Sequence, residues 1–410
     1  MKHYVIIGNG AAAVGCIEGI RSIDQNGMIT VISEEKHAVY SRPLISYYLQ
    51  GKTDLTRMKY RGEKFYEQNA CRVIYGKRAQ DVDAQNQTVM TDDGDAISYD
   101  ALCVAAGSRP FVPPFEGLDS VKRKFSFMTL DDALALEAAL TQESRVLIVG
   151  AGLIGLKCAE GIRDRVKSIT VCDLADRVLS SILDADCAAA VQKHLEANGI
   201  GFLLGDTAVR FDENTAFMKS GRTATFDILV LAVGVRANTE LVKNAGGSVD
   251  RGIVINEKTE TSLAHVFAAG DCAEGYDAST GTARVLAILP NAYMQGNTAG
   301  VNMAGGEKTF GEAIPMNSIG FFGLHIMTAG VCDGERIEER TEKGVKRFFV
   351  KDGLLKGFIL IGETDRAGIY TSLIREKVPL DTIDFELTKK IASNLIFSEE
   401  KRGKRFGGVV

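Results

Sequence analysis

Two glycine-rich turns carry the first chemistry legible in this chain. Gly8-x-Gly10-x-x-Ala13 follows the apolar run "MKHYVIIG", and Gly150-x-Gly152-x-x-Gly155, with Ile154 inside it, follows "RVLIVG". At this spacing the first glycine makes a tight turn, the second lets the backbone approach a pyrophosphate, and the small third residue lets a helix pack on its strand. The unpaired N–H groups and positive end of that helix then meet the phosphates. A carboxylate about 20 residues beyond the glycines accepts hydrogen bonds from a ribose diol. Glu34, with Glu35 as its alternative, ends the strand pattern in "GMITVISEE", and Asp173 ends the one in "KSITVCDL". The spacing predicts two βαβ units and two dinucleotide sites. Asp173 would bond the 2′-OH of NAD and repel the 2′-phosphate of NADP, so NADH is the expected donor, with Arg177 leaving some room for NADPH.

The elements that position these turns need a large chain, and 410 residues exceed what one hydrophobic core supports. The 43 glycines lie above the roughly 7% expected and point to many tight turns. A formal charge of -5 gives no electrostatic reason to expect nucleic acid as a partner. No apolar run reaches the roughly 18 to 20 residues that span a bilayer, and the N-terminal run breaks at glycines rather than reading as a signal peptide, so a cytoplasmic location is expected. The eight cysteines show no C-x-x-C or C-x-x-x-x-C spacing, which reads as buried structural thiols with no metal site. The cluster Lys401, Arg402, Lys404 and Arg405 reads as a solvated tail or a dock for an acidic protein.

The series of motifs resembles the two-dinucleotide flavoproteins of the pyridine nucleotide-disulfide oxidoreductase superfamily over nearly the whole chain. "YDALCVAAGSRPFVPP" is similar to the family's crossover from the first nucleotide domain, with Ala106 and Gly107 in its A-T-G segment. "FDILVLAVGVRANTEL", with Gly234, resembles the motif that leaves the NADH domain, and "TSLAHVFAAGDCAE" resembles the second flavin motif. The resemblance implies that Asp271 contacts the ribityl chain of FAD. "VYSRPLISYYLQGK" and "ILPNAYMQGNTAGVNMAGG" are similar to segments of NADH:rubredoxin oxidoreductases and of the flavoprotein part of NADH-dependent nitrite reductases.

The resemblance implies an α/β fold with two Rossmann-like domains and a small α+β C-terminal interface domain. Residues 1–112 and 245–316 would form a discontinuous FAD domain, 113–244 an inserted NADH domain, and 317–410 the interface domain. Disulfide reductases of the superfamily carry redox cysteines after the first βαβ unit. Here Arg42 stands near that position and the nearest thiols are Cys16 and Cys71. Arg42 would contact FAD or form a loop-stabilising ion pair, and Pro43 would start the next helix. His325, alone in an apolar context, is expected to be packed.

Relatives often pair a Glu two residues after the third glycine with a Lys from the segment matching "SRPLISYY". Lys157 and Tyr47 hold those positions here. Lys157 is therefore the candidate catalytic side chain, favouring reduced flavin by Coulomb attraction, unless it points along its helix to solvent. The expected activity is electron transfer from NADH through FAD, without a redox cysteine, to rubredoxin, ferredoxin or the iron-sulfur subunit of a complex such as an aldehyde oxidoreductase. Direct NADH oxidation by oxygen and a redox-sensing NADH/FAD interaction protein are the alternatives. The chain would act as a homodimer or as a subunit.

Overall fold

The computed structural model describes residues 1–397, so the basic cluster from Lys401 to Arg405 lies outside the described residues. Contacts divide the chain into two compact units. The larger comprises Met1–Tyr276 and Ala283–Gly311, and the smaller comprises Asp277–Thr282 and the chain from Glu312.

The larger unit contains two parallel five-stranded sheets. The first runs in the order Val266–Ala268, Ala101–Val104, His3–Ile7, Met28–Ser33, Cys71–Tyr75. In the second the order is Ile200–Leu204, Ser168–Asp173, Arg145–Val149, Ile228–Leu231, Lys124–Phe125. His3–Ile7 and Arg145–Val149 are buried along nearly their whole length, the pattern expected of a parallel strand covered on both faces. Each is followed by its glycine turn and a helix, Ala11–Ile23 or Leu153–Ile162, and then by the strand on the same side. The four central strands of both sheets thus share the 3-2-1-4 arrangement of a doubly wound fold.

The duplication goes further than the two βαβ units visible in the sequence. In each half a three-stranded antiparallel meander, Ala79–Ser98 or Ala208–Thr225, precedes the fourth parallel strand. Its short strands alternate on small and polar residues, a weak signal beside the apolar runs of the parallel strands. The halves are joined by two crossing segments, Ser108–Pro110 and Val235–Ala237, which pair antiparallel.

The helix Leu289–Met303 packs on Ala11–Ile23 by main-chain approach. A Cβ on Gly15 or Gly19 of one, or on Gly296 or Gly300 of the other, would collide with the opposite helix's backbone. That contact brings the first turn of Leu289–Met303 beside the first glycine turn, with the Ala292 methyl 3.6 Å from where a Cβ on Gly270 would stand.

In the smaller unit a five-stranded antiparallel sheet runs in the order Met316–Phe321, Leu324–Gly330, Leu354–Ile361, Gly344–Lys351, Glu335–Thr341. Asp352 and Gly353 form its two-residue turn with φ of 55° and 70°, the mirror-image turn that the Asp-Gly dipeptide favours. Helix Ala367–Arg375 covers the sheet, and Phe348 and Phe358 meet Tyr370 edge-on at 4.9 and 5.7 Å. His325 is exposed rather than packed, because the alternation along Leu324–Gly330 turns it outward while Ile326 is buried.

Candidate functional site

The two glycine turns stand at the carboxyl ends of the two parallel sheets, where doubly wound folds bind ligands. Gly8 has φ +103° and Gly150 φ +118°, values an L side chain rarely adopts. A Cβ on either would also strike the carbonyl oxygen of the neighbouring strand's end, Ala105 or Ala232. Each turn is pinned by its amide, Gly8 to the Ile32 carbonyl and Gly150 to the Cys172 carbonyl, both at 2.8 Å.

Gly10 and Gly152 face open space, with nothing within 4 Å of an added Cβ. They are the N-caps of their helices and supply no side-chain cap, so the first-turn N–H groups have no capping side chain. These cradles fit the pyrophosphates of two dinucleotides. At the third position Ala13 is fully buried, whereas a Cβ on Gly155 would run into the Gly150 carbonyl. Ile154, in the first turn of its helix, is half-buried.

Asp173 ends its strand with its carboxylate on the second turn, accepting the N–H of Ala151 at 2.7 Å and of Ala175 at 2.8 Å. Register puts Ser33, not Glu34, in the corresponding place, since Ile7 pairs with Ile32 as Val149 pairs with Cys172. Glu34 follows directly and is exposed. Glu35 is engaged elsewhere: it accepts from the Tyr40 hydroxyl at 2.6 Å and pairs with Arg42 at 2.5 Å. The ion pair left open for Arg42 by the sequence is thus present, with Glu35 as its partner. Pro43 lies in the one-turn helix Arg42–Leu44 that leads into Ile45–Leu49.

Asp271 follows Gly270, whose amide donates to Gln295 at 2.9 Å. The Ser108 hydroxyl donates to the Asp271 carboxylate at 3.3 Å. Burial pushes the Asp271 carboxyl above the ordinary aspartate range, opposed by the charge of Arg42 and by Ser108. A partly desolvated carboxylate with one hydroxyl donor suits a ligand that brings further hydroxyls, as the ribityl chain of FAD does. The turn at Ala106 and Gly107, where Gly107 has φ +65°, is held by Asn238, whose side chain donates to the Ala106 carbonyl at 2.8 Å and whose amide donates to the Gly107 carbonyl at 3.0 Å. Gly234, φ +111°, accepts the Phe111 N–H at 2.9 Å across the crossing strands.

Sequence reasoning passed over several side chains that fix these turns. Tyr66 donates to Asn9, inside the first glycine turn, at 2.6 Å. Asn238 and Gln295 lay within quoted motifs, but only their long-range partners give them a role.

Lys157 does not extend into solvent. Its side chain is 15% exposed, pairs with Glu160, and sets its ammonium 4.6 Å from the centre of the Tyr47 ring. Six of the eight cysteines are buried, and burial raises the thiols of Cys16, Cys158, Cys172 and Cys272, the last two to about 12. Half-buried Cys71 is pushed up to about 11. Thiols so raised are poor nucleophiles at neutral pH.

Among the described residues no helix is long and apolar enough to cross a membrane. The chain is 31% identical to subunit epsilon of the NADH-dependent phenylglyoxylate dehydrogenase of Aromatoleum evansii, over 92% of each chain. It is also 31% identical to the nitrite reductase [NAD(P)H] of Bacillus subtilis, over 97% of this chain and 50% of that protein, so it spans about half of that relative's length. In fold it resembles the reductase of the covalent putidaredoxin reductase-putidaredoxin complex, with a TM-score of 0.88 and 23% identity over 96% of this chain and 97% of that one. Members of the family that the sequence motifs suggested use FAD and NAD(H). A family description, pyridine nucleotide-disulphide oxidoreductase, matches residues 2–296. The chain belongs to the pyridine nucleotide-disulphide oxidoreductase family and is an oxidoreductase enzyme.

Proposed function

We propose that the chain takes electrons from NADH through FAD and delivers them to a separate redox protein: rubredoxin, ferredoxin or the iron-sulfur subunit of a larger enzyme. The observation that carries this reading is the pair of matched cradles at the ends of two sheets in one unit. Gly8, Gly10 and Ala13 would hold the FAD pyrophosphate, Glu34 its ribose, and Asp271, with Ala106 and Gly107, its ribityl side. Gly150, Gly152, Ile154 and Gly155 would hold NADH, with Asp173 on its adenosine ribose and Gly234 closing the domain. FAD, when bound, supplies the acceptance of hydride and the release of electrons. The protein's part is to fix both nucleotides, orient them and shield the transfer from water.

The high thiol pKa values support a route without a cysteine nucleophile. Similarity to a protein named as one subunit of an NADH-dependent dehydrogenase, over nearly the full length of both chains, supports a protein acceptor. Arg42 would act on FAD indirectly, by its charge near Asp271, while its guanidinium stays on Glu35.

Anaerobic titration with NADH, followed by flavin absorbance, tests this reading. Complete bleaching at about one NADH per flavin is expected when FAD is the sole redox centre. A requirement for about two would reveal a second two-electron centre and sink the cysteine-free route. Fast turnover in air without any protein acceptor would overturn the acceptor assignment in favour of an oxidase.

A further inference from the structure

Where the two nucleotide-binding halves meet, one charged group is buried without any packing need. Helix Ile45–Leu49 of the first half lies on helix Leu153–Ile162 of the second, close enough that a Cβ on Gly161 would stand 3.1 Å from the Ser46 carbonyl oxygen. In this seam Lys157 and Glu160 pair across one helical turn, with side chains 15% and 6% exposed. The Lys157 ammonium rests over the Tyr47 ring, 4.6 Å from its centre. Cys158, Ala159, Gly161 and Ile162 around the pair are all buried.

Removing an ammonium and a carboxylate from water is costly, and apolar side chains of similar size often serve a protein's stability as well or better. The pair therefore calls for a role other than packing. Its place suggests one. Lys157 is on the helix that begins at the Gly152 cradle, and Tyr47 is on the helix that Arg42 and Pro43 lead into, with the charge of Arg42 reaching Asp271. The ammonium thus stands between the residues proposed to hold the two cofactors. Glu160 and the ring of Tyr47 restrict it to one position, because the ring face attracts a cation while the carboxylate holds it from the next turn.

We propose that Glu160 is a positioning residue that holds the Lys157 ammonium over Tyr47, and that this fixed charge sets how readily the flavin takes up negative charge on reduction. The inference rests on the FAD reading above. A positive charge held in a partly desolvated seam acts over several ångströms with little screening, whereas a mobile lysine would be solvated.

The test is the flavin midpoint potential of the FAD-loaded protein, read by equilibration with a reference dye. In Lys157→Met the flavin should become harder to reduce, its equilibrium with the dye moving by about tenfold toward oxidised flavin. In Glu160→Gln it should move the other way, since the ammonium loses its neutralising partner, and Lys157→Met/Glu160→Gln should fall between the two. A merely structural pair would not give shifts of opposite sign. Equal or same-direction shifts in the single variants, with normal FAD content, overturn the proposal. If Lys157→Met fails to fold, Lys157→Arg and Glu160→Gln decide it. The first should keep the original potential and the second should raise it, and any other pattern counts against the role. A wild-type protein that binds no FAD would instead overturn the flavin reading itself.

Discussion

The carboxylate of Asp173 accepts the Ala151 N–H at 2.7 Å, tying the end of one strand to the middle of the second glycine turn. Its other oxygen takes the Ala175 N–H, so the side chain shapes the cradle before any nucleotide arrives. Asp173→Ala leaves the buried Ala151 N–H without its acceptor, a loss of about 1–3 kcal/mol. Apparent NADH affinity should fall by roughly tenfold to a hundredfold on that scale. NADPH should lose less, because the repulsion of its 2′-phosphate goes too. Steady-state KM values for both nucleotides check this, and an unchanged NADPH-to-NADH ratio would remove Asp173 from coenzyme choice.

The third position of the two turns differs for a physical reason. Ala13 fits, while a Cβ on Gly155 would meet the Gly150 carbonyl, a rigid main-chain atom. Gly155→Ala should push the helix off its strand at about 1–3 kcal/mol, the usual cost of overpacking. The variant should keep its FAD, whose cradle is in the other half, but be reduced by NADH far more slowly. Flavin content and stopped-flow reduction separate the two effects, and parallel loss of both would show that the halves fold as one.

Why these turns were legible in the sequence, and their supports were not, follows from the same contacts. Gly8, Gly150 and the Asp352-Gly353 hairpin answer local demands on φ, so residue type at a fixed spacing reveals them. The strands were legible because burial on both faces leaves an unbroken apolar run. Asn238, Gln295 and Tyr66 carry no local mark, since what they hold lies far off in sequence at Ala106, Gly270 and Asn9. Arg42 illustrates the same limit. The sequence left FAD contact and an ion pair both open, and the pairing depends on how the loop from Glu35 to Arg42 folds back on itself.

In the smaller unit the largest fully buried side chain is Arg347, 1% exposed and paired with Glu338 on the neighbouring strand. Arg347 holds the Glu338 carboxyl below the ordinary glutamate range, helped by Arg340. Glu338→Ala strands the buried guanidinium and should destabilise the unit by about 3–5 kcal/mol. Arg347→Met, which removes the charge and keeps the bulk, should cost much less. Thermal melting of both variants checks the order, and a larger loss for Arg347→Met would mean that its hydrogen bonds outweigh the desolvation of its charge.

Asp271 gives the site a pH dependence whose sign can be worked out. Without ligand, burial raises its pKa above the ordinary aspartate value, so the protonated form persists to higher pH than in the unfolded chain. Ionisation in the unliganded fold therefore lowers stability as pH rises from the unfolded value through the raised one. Ribityl hydroxyls donating to the carboxylate would favour its charged form and lower that pKa. FAD binding would then release a proton, and affinity should be full above the unliganded pKa and decline as pH falls through it. In Asp271→Asn the decline should vanish while affinity at neutral pH drops, the amide accepting fewer and weaker hydrogen bonds. Flavin fluorescence titrations of both proteins from about pH 4 to about pH 8, bracketing the carboxyl range, provide the measurement. The same acid-side slope in both proteins would mean that another carboxylate, Glu34 foremost, governs FAD affinity.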